Sequence, residues 1–367
     1  MHIPFCSHKC GYCDFASLAG VDHLAGRYLE ALEAEIAGVA SPQPMDTLFV
    51  GGGTPTRLTA GQLERLLGVI RQWLPLVPGG EWTVEANPET IDAEKADVLA
   101  AGGVNRVSLG AQSFHAPSLA VLEREHTPDS VPRALELVRP RFERWSFDLI
   151  FGVPGSTPEI WRADLGRALD LGPSHLSCYG LTFEKGTALH KQWREGRVSS
   201  LDEEVERTLL ADTIDRLSAE GLPPYEISNY ARPGQECRHN LVYWANDAYY
   251  GFGVGAARYV GGERTINTRD LLSYLRRIEA GQPVNGPKER LDSEGRARET
   301  AVLMLRRTQL GLERDDFRLR TGYDLEALAG PAIAKHVGRG NFEDDGHRLR
   351  LTREGLFIAD SVLADLL

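Results

Sequence analysis

The stretch Met1-His2-Ile3-Pro4-Phe5-Cys6-Ser7-His8-Lys9-Cys10-Gly11-Tyr12-Cys13-Asp14-Phe15 sets three cysteines in the spacing C-x3-C-x2-C. Three thiolates this close on one short loop can hold a metal centre, but they are one ligand short of the usual four. A [4Fe–4S] cluster normally takes four Cys, so three leave one iron with an open coordination position. An open position on a bound metal is where a small molecule can be ligated and transformed. Spacing alone does not choose the metal. A zinc site completed by His2 or His8 is the competing reading.

Downstream of this loop, to about residue 230, short apolar strands alternate with amphipathic helices. Asp22 to Val39 carries Leu24, Tyr28, Leu32 and Ile36 at helical spacing. Thr47–Val50 reads as a strand running into Gly51-Gly52-Gly53-Thr54-Pro55, with a helix from Thr59, a good N-cap. Trp82–Ala86, Arg106–Gly110, Trp145–Ile150 and His175–Tyr179 read as further strands, with helices at Asp92–Ala101 and Pro158–Leu171 between them. Repeated strand–helix units predict a parallel sheet with right-handed crossovers. The chemistry-bearing residues fall at or just after strand C-termini, where barrels and open α/β sheets place their sites.

Leu201–Gly221 reads as a long polar helix and Tyr225–Tyr230 as an extra strand, followed by His239-Asn240-Leu241-Val242-Tyr243-Trp244 and a glycine-rich return, Gly251–Ala256. Gly281–Lys288, with Pro283 and Pro287, is the best linker. From Ser293 the texture turns helical: Glu294–Arg306, Glu313–Thr321 and Leu325–Ala334. An Asp344-Asp345-Gly346 turn and a terminal helix from Thr352 to Leu366 follow, so the region reads as a small winged-helix-like module. Its basic residues are interleaved with acids, which gives a DNA-binding reading little weight.

Composition narrows the classes. At 367 residues the chain exceeds one ordinary core, and 42% hydrophobic with 25% charged is ordinary globular composition. A net charge of −11 argues against nucleic acid or an anionic membrane as the main partner, with peripheral membrane association left open. No apolar run approaches the ~20 residues a bilayer-spanning helix needs. Five Cys, three of them clustered, read as a reduced cytoplasmic metalloprotein and not a disulfide scaffold.

The segment H-I-P-F-C-x3-C-x2-C-D-F resembles the opening of the radical S-adenosylmethionine (SAM) enzymes. More narrowly, it resembles the branch containing oxygen-independent coproporphyrinogen III oxidase and the haem chaperone HemW. The resemblance implies an incomplete (β/α)6 TIM-type barrel and a C-terminal domain of the HemN type. It sets the barrel at 1–230, a barrel extension and linker with the HNxxYW segment at 231–288, and the C-terminal domain at 289–367. It implies that Cys6, Cys10 and Cys13 hold a [4Fe–4S] cluster whose fourth iron is chelated by SAM. Reductive cleavage of SAM in that superfamily gives methionine and a 5′-deoxyadenosyl radical. Only five residues precede Cys6, whereas the family places there a strand whose Tyr lies by the SAM methionine. The reading therefore expects a misassigned start or a shortened chain.

The resemblance also assigns Gly52, Gly53 and Thr54 to the amino group of SAM. It places Glu85, Gln112 and Asp148 around its carboxylate, ribose and adenine, and Tyr12 near the adenine. Arg124 is the natural carboxylate partner by charge and fork geometry. Taken singly, a glycine run is an ordinary tight turn and each polar residue a solvated loop position. Polar side chains gathered at strand ends each need a ligand or partner. His239, beside aromatic residues, suits haem-iron ligation, against the commoner role of a structural hydrogen-bonder. Cys178 and Cys237 read as buried thiols, with a secondary role in haem contact left open for Cys237.

Three functions compete. The first is a radical-SAM-type protein that binds SAM and haem and delivers haem to client haemoproteins, whether or not SAM is cleaved. The second is the oxidase, converting coproporphyrinogen III to protoporphyrinogen IX by oxidative decarboxylation. The oxidase carries a fourth Cys two positions after the third, where this chain has Phe15, and a longer N-terminal extension. The Y-E-I-S-N-Y and H-N-x-x-Y-W segments side with the chaperone. The third is a zinc-stabilised α/β protein with a partner-binding winged helix.

Overall fold

The computed structural model describes residues 1–367. The chain forms two compact units. The first comprises Met1–Arg216, Gly251–Ala257 and Ile266–Pro287; the second comprises Leu217–Tyr250, Arg258–Thr265 and Lys288–Leu367.

In the first unit six strands lie side by side in chain order: β1 (His2–Ile3), β2 (Met45–Gly52), β3 (Leu76–Ala86), β4 (Arg106–Gln112), β5 (Arg144–Phe151) and β6 (His175–Gly180). All neighbours are parallel, with His2 opposite Gly51, Val84 opposite Val107, Leu109 opposite Phe147 and Asp148 opposite Ser177. Each strand is followed by helix, the arrangement of the incomplete (β/α)6 barrel. Helix starts follow sequence chemistry. Thr59 closes a capping box with Gln62 over Ala60–Trp73, Asp92 caps Ala93–Ala101, and Thr157 caps Pro158–Asp170.

Strand alternation divides the barrel into two surfaces. Val84, Val107, Leu109, Phe147, Leu149 and Leu176 are buried at 1% exposure or less, as are Leu63, Leu67 and Ile70 of the helix Ala60–Trp73. The intervening positions are polar: Thr83 and Glu85, Arg106 and Ser108, Ser146 and Asp148, His175 and Ser177. They line one connected interior, described below.

The second unit has its own core, in which Met304, Leu305, Leu312, Phe317, Leu349, Val362 and Leu363 are buried. Its helices Ser293–Leu305, Arg314–Thr321 and Leu325–Gly338 pack with a three-stranded sheet ordered Leu312–Glu313, Arg348–Leu351, Phe342–Asp344. The last two strands are antiparallel and turn at Asp345-Gly346, the wing of a winged-helix-like module. Asp344 takes the Gly346 amide at 2.9 Å and a paired contact from Arg314 at 3.0 and 2.8 Å.

Two expectations change. The strand expected at Tyr225–Tyr230 is only Asn229–Ala231, because Tyr225 N donates to Asn229 O and Ser228 N donates to the Glu226 carboxylate, which turns the chain back. The terminal helix is two helices, Arg353–Phe357 and Ala359–Ala364, broken at Ile358 (φ −128°, ψ 29°). No helix is long and apolar enough to cross a membrane.

Candidate functional site

The cysteine loop is short of backbone hydrogen bonds of its own and is braced from several elements. Cys13 N donates to Cys10 O (3.1 Å), Gly11 N to Leu122 O (3.2 Å), and Leu189 N to Gly11 O (2.8 Å). Gly11 lets the Glu123 side chain lie close, since a Cβ there would be 2.9 Å from its carboxyl carbon and would push that side chain aside. Each sulfur has a polar neighbour: Cys6 Sγ lies 3.6 Å from Thr54 Oγ1, Cys13 Sγ 3.7 Å from Ser17 Oγ, and Arg124 Nη1 donates to Cys10 Sγ at 3.4 Å.

These residues fit an anionic iron–sulfur centre. The three thiols are partly exposed on one loop, with hydroxyl donors and a guanidinium beside them, and such contacts tune a cluster. No three His, Cys, Asp or Glu side chains stand close enough together to hold a single ion. His2 is not placed to complete a zinc site. Its Nε2 meets the Ala16 carbonyl at 3.1 Å, and burial lowers its pKa from 6.5 to about 4. His8 is directed towards Glu123 at 3.7 Å.

The glycines after β2 are explained by the chain's own crowding. A Cβ at Gly52 (φ +104°) would collide with the His2 ring, and one at Gly53 would lie 2.7 Å from Ile3 O. Gly52 N donates to Glu85 Oε2 (3.0 Å), Gly53 N to Ile3 O (2.8 Å) and Thr54 N to Phe5 O (2.8 Å). The turn thus locks the start of the cysteine loop onto β2 and places the buried Thr54 beside Cys6.

At the next strand ends the expected residues converge. Burial, and then the nearby Asp148 charge, raise the Glu85 pKa from 4.5 to about 7. Burial also raises the Asp148 pKa, opposed by hydrogen bonds from Ser177 and Ser108 and by the Arg106 charge. Gln112 ends β4 at a register shift with φ +63°, a conformation that costs free energy outside glycine. Gly110 makes room there, since a Cβ would lie 3.0 Å from the Gln112 side-chain nitrogen. Arg124 spans from Cys10 to Gly110 O (2.8 Å), and His126 holds it through Nδ1 at 3.3 Å. Tyr12 packs on Leu122, Ile150 and Val153, within electrostatic reach of Arg124 and Asp148.

Beneath Asp148 runs a polar column that the sequence reading did not single out. Arg106 donates to Ser146 (3.1 Å), Ser146 and Ser108 share a hydrogen bond (2.8 Å), and Ser108 reaches both Asp148 oxygens at 3.1 Å. The signal was present in the alternation: a polar residue at every second position of four consecutive strands is costly to bury unless it is paired.

His239 belongs to the second unit, on the helix Arg238–Trp244. Its Nε2 and the Tyr243 hydroxyl are 2.9 Å apart, and the rings meet edge to face at 5.0 Å. Tyr243 meets Tyr249 at 4.7 Å, and Tyr249 is 6.2 Å from Tyr259. Tyr243 is 39% exposed, so the row reaches the surface of the unit. Burial lowers the His239 pKa from 6.5 to about 3, which keeps the imidazole neutral, the form that ligates metal. Cys237 is 1% exposed and packs with Tyr225, Ala231 and Leu241, so its thiol is not placed to meet a ligand. Cys178 is also buried.

Comparison with known proteins bears on the family and the fold. Residues 1–166 match the radical SAM superfamily and residues 291–358 the HemN C-terminal domain. The heme chaperone HemW of Bacillus subtilis is 36% identical, with 100% of this chain and 98% of that protein aligned. The heme chaperone HemW of Escherichia coli is 38% identical over 99% of this chain and 96% of that protein. The structure of Escherichia coli coproporphyrinogen III oxidase (HemN), a radical SAM enzyme, superposes with a TM-score of 0.88. It covers 100% of this chain and 88% of that one, at 23% identity, which is a likeness of fold. The chain belongs to the radical SAM superfamily and, within it, to the HemW family.

Proposed function

We propose that this chain is a cytoplasmic haem carrier that holds a [4Fe–4S] cluster on Cys6, Cys10 and Cys13, binds SAM at the barrel mouth, and hands haem to client haemoproteins. The observation that carries the reading is end-to-end similarity to proteins named heme chaperone HemW. In this reading Arg124 meets the SAM carboxylate. Gly52, Gly53 and Thr54 border its amino group, and Glu85, Gln112, Asp148 and Tyr12 surround the ribose and adenine. When bound, the cluster supplies an electron to SAM. The protein's own part is to hold the sulfurs, place a fixed positive charge beside Cys10, and keep paired polar groups under the ligand. His239, neutral and flanked by Tyr243, is the residue proposed to meet haem iron.

Phe15 supports the carrier over the oxidase. It stands two positions after Cys13, where the oxidase has a fourth thiol, and is 64% exposed. The experiment is anaerobic: reconstitute the cluster, add reductant, SAM and coproporphyrinogen III, and follow porphyrinogen mass. The carrier reading expects unchanged mass from protein with a reducible cluster. Loss of two carboxyl groups per molecule at catalytic turnover would establish the oxidase instead.

A further inference from the structure

We infer that Glu35 is a positioning residue for the cysteine loop, acting through a keeper built from Phe252–Ala256 and Asn267–Arg269. The inference rests on the cluster site proposed above. Glu35 lies on the helix Ala25–Ala37, where a sequence reading would leave it to solvent. Instead its carboxylate accepts from Tyr274 OH (2.6 Å), Gly253 N (2.7 Å) and Asn267 Nδ2 (2.7 Å). Asn267 Nδ2 also donates to Gly253 O at 2.8 Å, so the two arms of the keeper are tied at this carboxylate.

The keeper grips the chain on both sides of the cysteines. Before Cys6, His2 N donates to Phe252 O (2.9 Å), and Tyr28 OH donates to His2 O (2.6 Å) while accepting from Val254 N (3.3 Å). Gly253 sits at φ +98°, and a Cβ there would strike the Tyr28 hydroxyl and the His2 carbonyl, so the contact tolerates no side chain. After Cys13, Arg269 donates to the Asp14 carbonyl and, at 3.1 Å, to its carboxylate. A Cβ at Gly255 would lie 2.7 Å from Ala16 Cβ. Three donors converge on Glu35, and a carboxylate alone among side chains accepts from all of them. A glutamine would set its own N–H₂ against at least one of those donors.

The test compares wild type, Glu35→Gln and Arg269→Ala as full-length chains with anaerobically reconstituted cluster. It measures the rate of iron release to a chelator and the electron paramagnetic resonance of the reduced cluster with and without SAM. Outer-shell support of a metal site is worth roughly 10-fold, so E35Q should release iron about 10-fold faster and alter the resonance. R269A, at an exposed end of the keeper, should move both readouts the same way by a smaller factor. A shifted resonance separates positioning from mere loss of fold. If E35Q does not fold, R269A decides. A loaded wild type with release and spectrum unchanged in the folded variants overturns the inference alone. A wild type that takes up no iron and sulfide overturns the cluster reading and this inference with it.

Discussion

The cysteine loop and the His239 helix carry the two sets of ligands proposed above, and they are held by opposite means. The loop has little regular hydrogen bonding of its own, so partners far away in sequence brace it: Leu122, Leu189, Thr54, and the keeper some 218 residues beyond Glu35. The helix Arg238–Trp244 arranges its pair internally, because residues four apart share a helical face and Tyr243 therefore falls beside His239. A site braced from many elements has many positions at which it can be weakened. A site arranged by one helix depends on that helix staying seated. The two sites should therefore fail separately, and in different ways.

The largest expected effect is at the loop. Cys10→Ala should abolish cluster iron and sulfide while leaving a haem titration of the second unit unchanged. Joint loss of both would contradict the separation.

Next is the seating of the helix. Glu226 is fully buried in the second unit, with Asn229 and Trp244 facing its carboxylate, and burial raises its pKa from 4.5 to about 7. The unfolded chain releases this proton near 4.5 and the folded chain only near 7. The stability that Glu226 contributes is therefore fullest below 4.5, falls as pH rises to about 7, and is level above. That window corresponds to about 3 kcal/mol, and Glu226→Gln should remove it in urea unfolding at pH 5 and pH 8. Parallel pH profiles for the two proteins would contradict it.

His239→Ala should weaken haem binding by about 10-fold, equivalent to about 1.4 kcal/mol, with cluster content unchanged, as read from the Soret titration. Tyr243→Phe removes one hydrogen bond of roughly 1 kcal/mol and should give a smaller loss of a few-fold in the same titration. If Tyr243→Phe costs as much as His239→Ala, the hydroxyl and not the imidazole is the ligand-facing group.

The contrast also explains what the sequence disclosed. The C-x3-C-x2-C spacing is local, so the loop could be read directly, and the short apolar strands that hold Glu85 and Asp148 and lead towards Gln112 were read from their own residues. The helix cap at Thr59 and the turn at Asp344-Asp345-Gly346 were likewise local. What was missed depends on distant partners. Glu35 reads as one more surface carboxylate until Gly253, Asn267 and Tyr274 are brought to it. Arg106, Ser108 and Ser146 read as ordinary strand residues until the barrel closes them into one column. Tyr225–Tyr230 looks extended by composition, yet Glu226 and Tyr225 spend their hydrogen bonds on a turn.

The most direct test loads the chain with haem and mixes it with a haem-free haemoprotein acceptor while the Soret band is followed. Wild type should pass its haem to the acceptor, and His239→Ala, loaded at higher haem concentration, should do so no faster than free haem. Haem retained by wild type, or transfer by the two proteins at equal rate, would contradict a carrier built around His239.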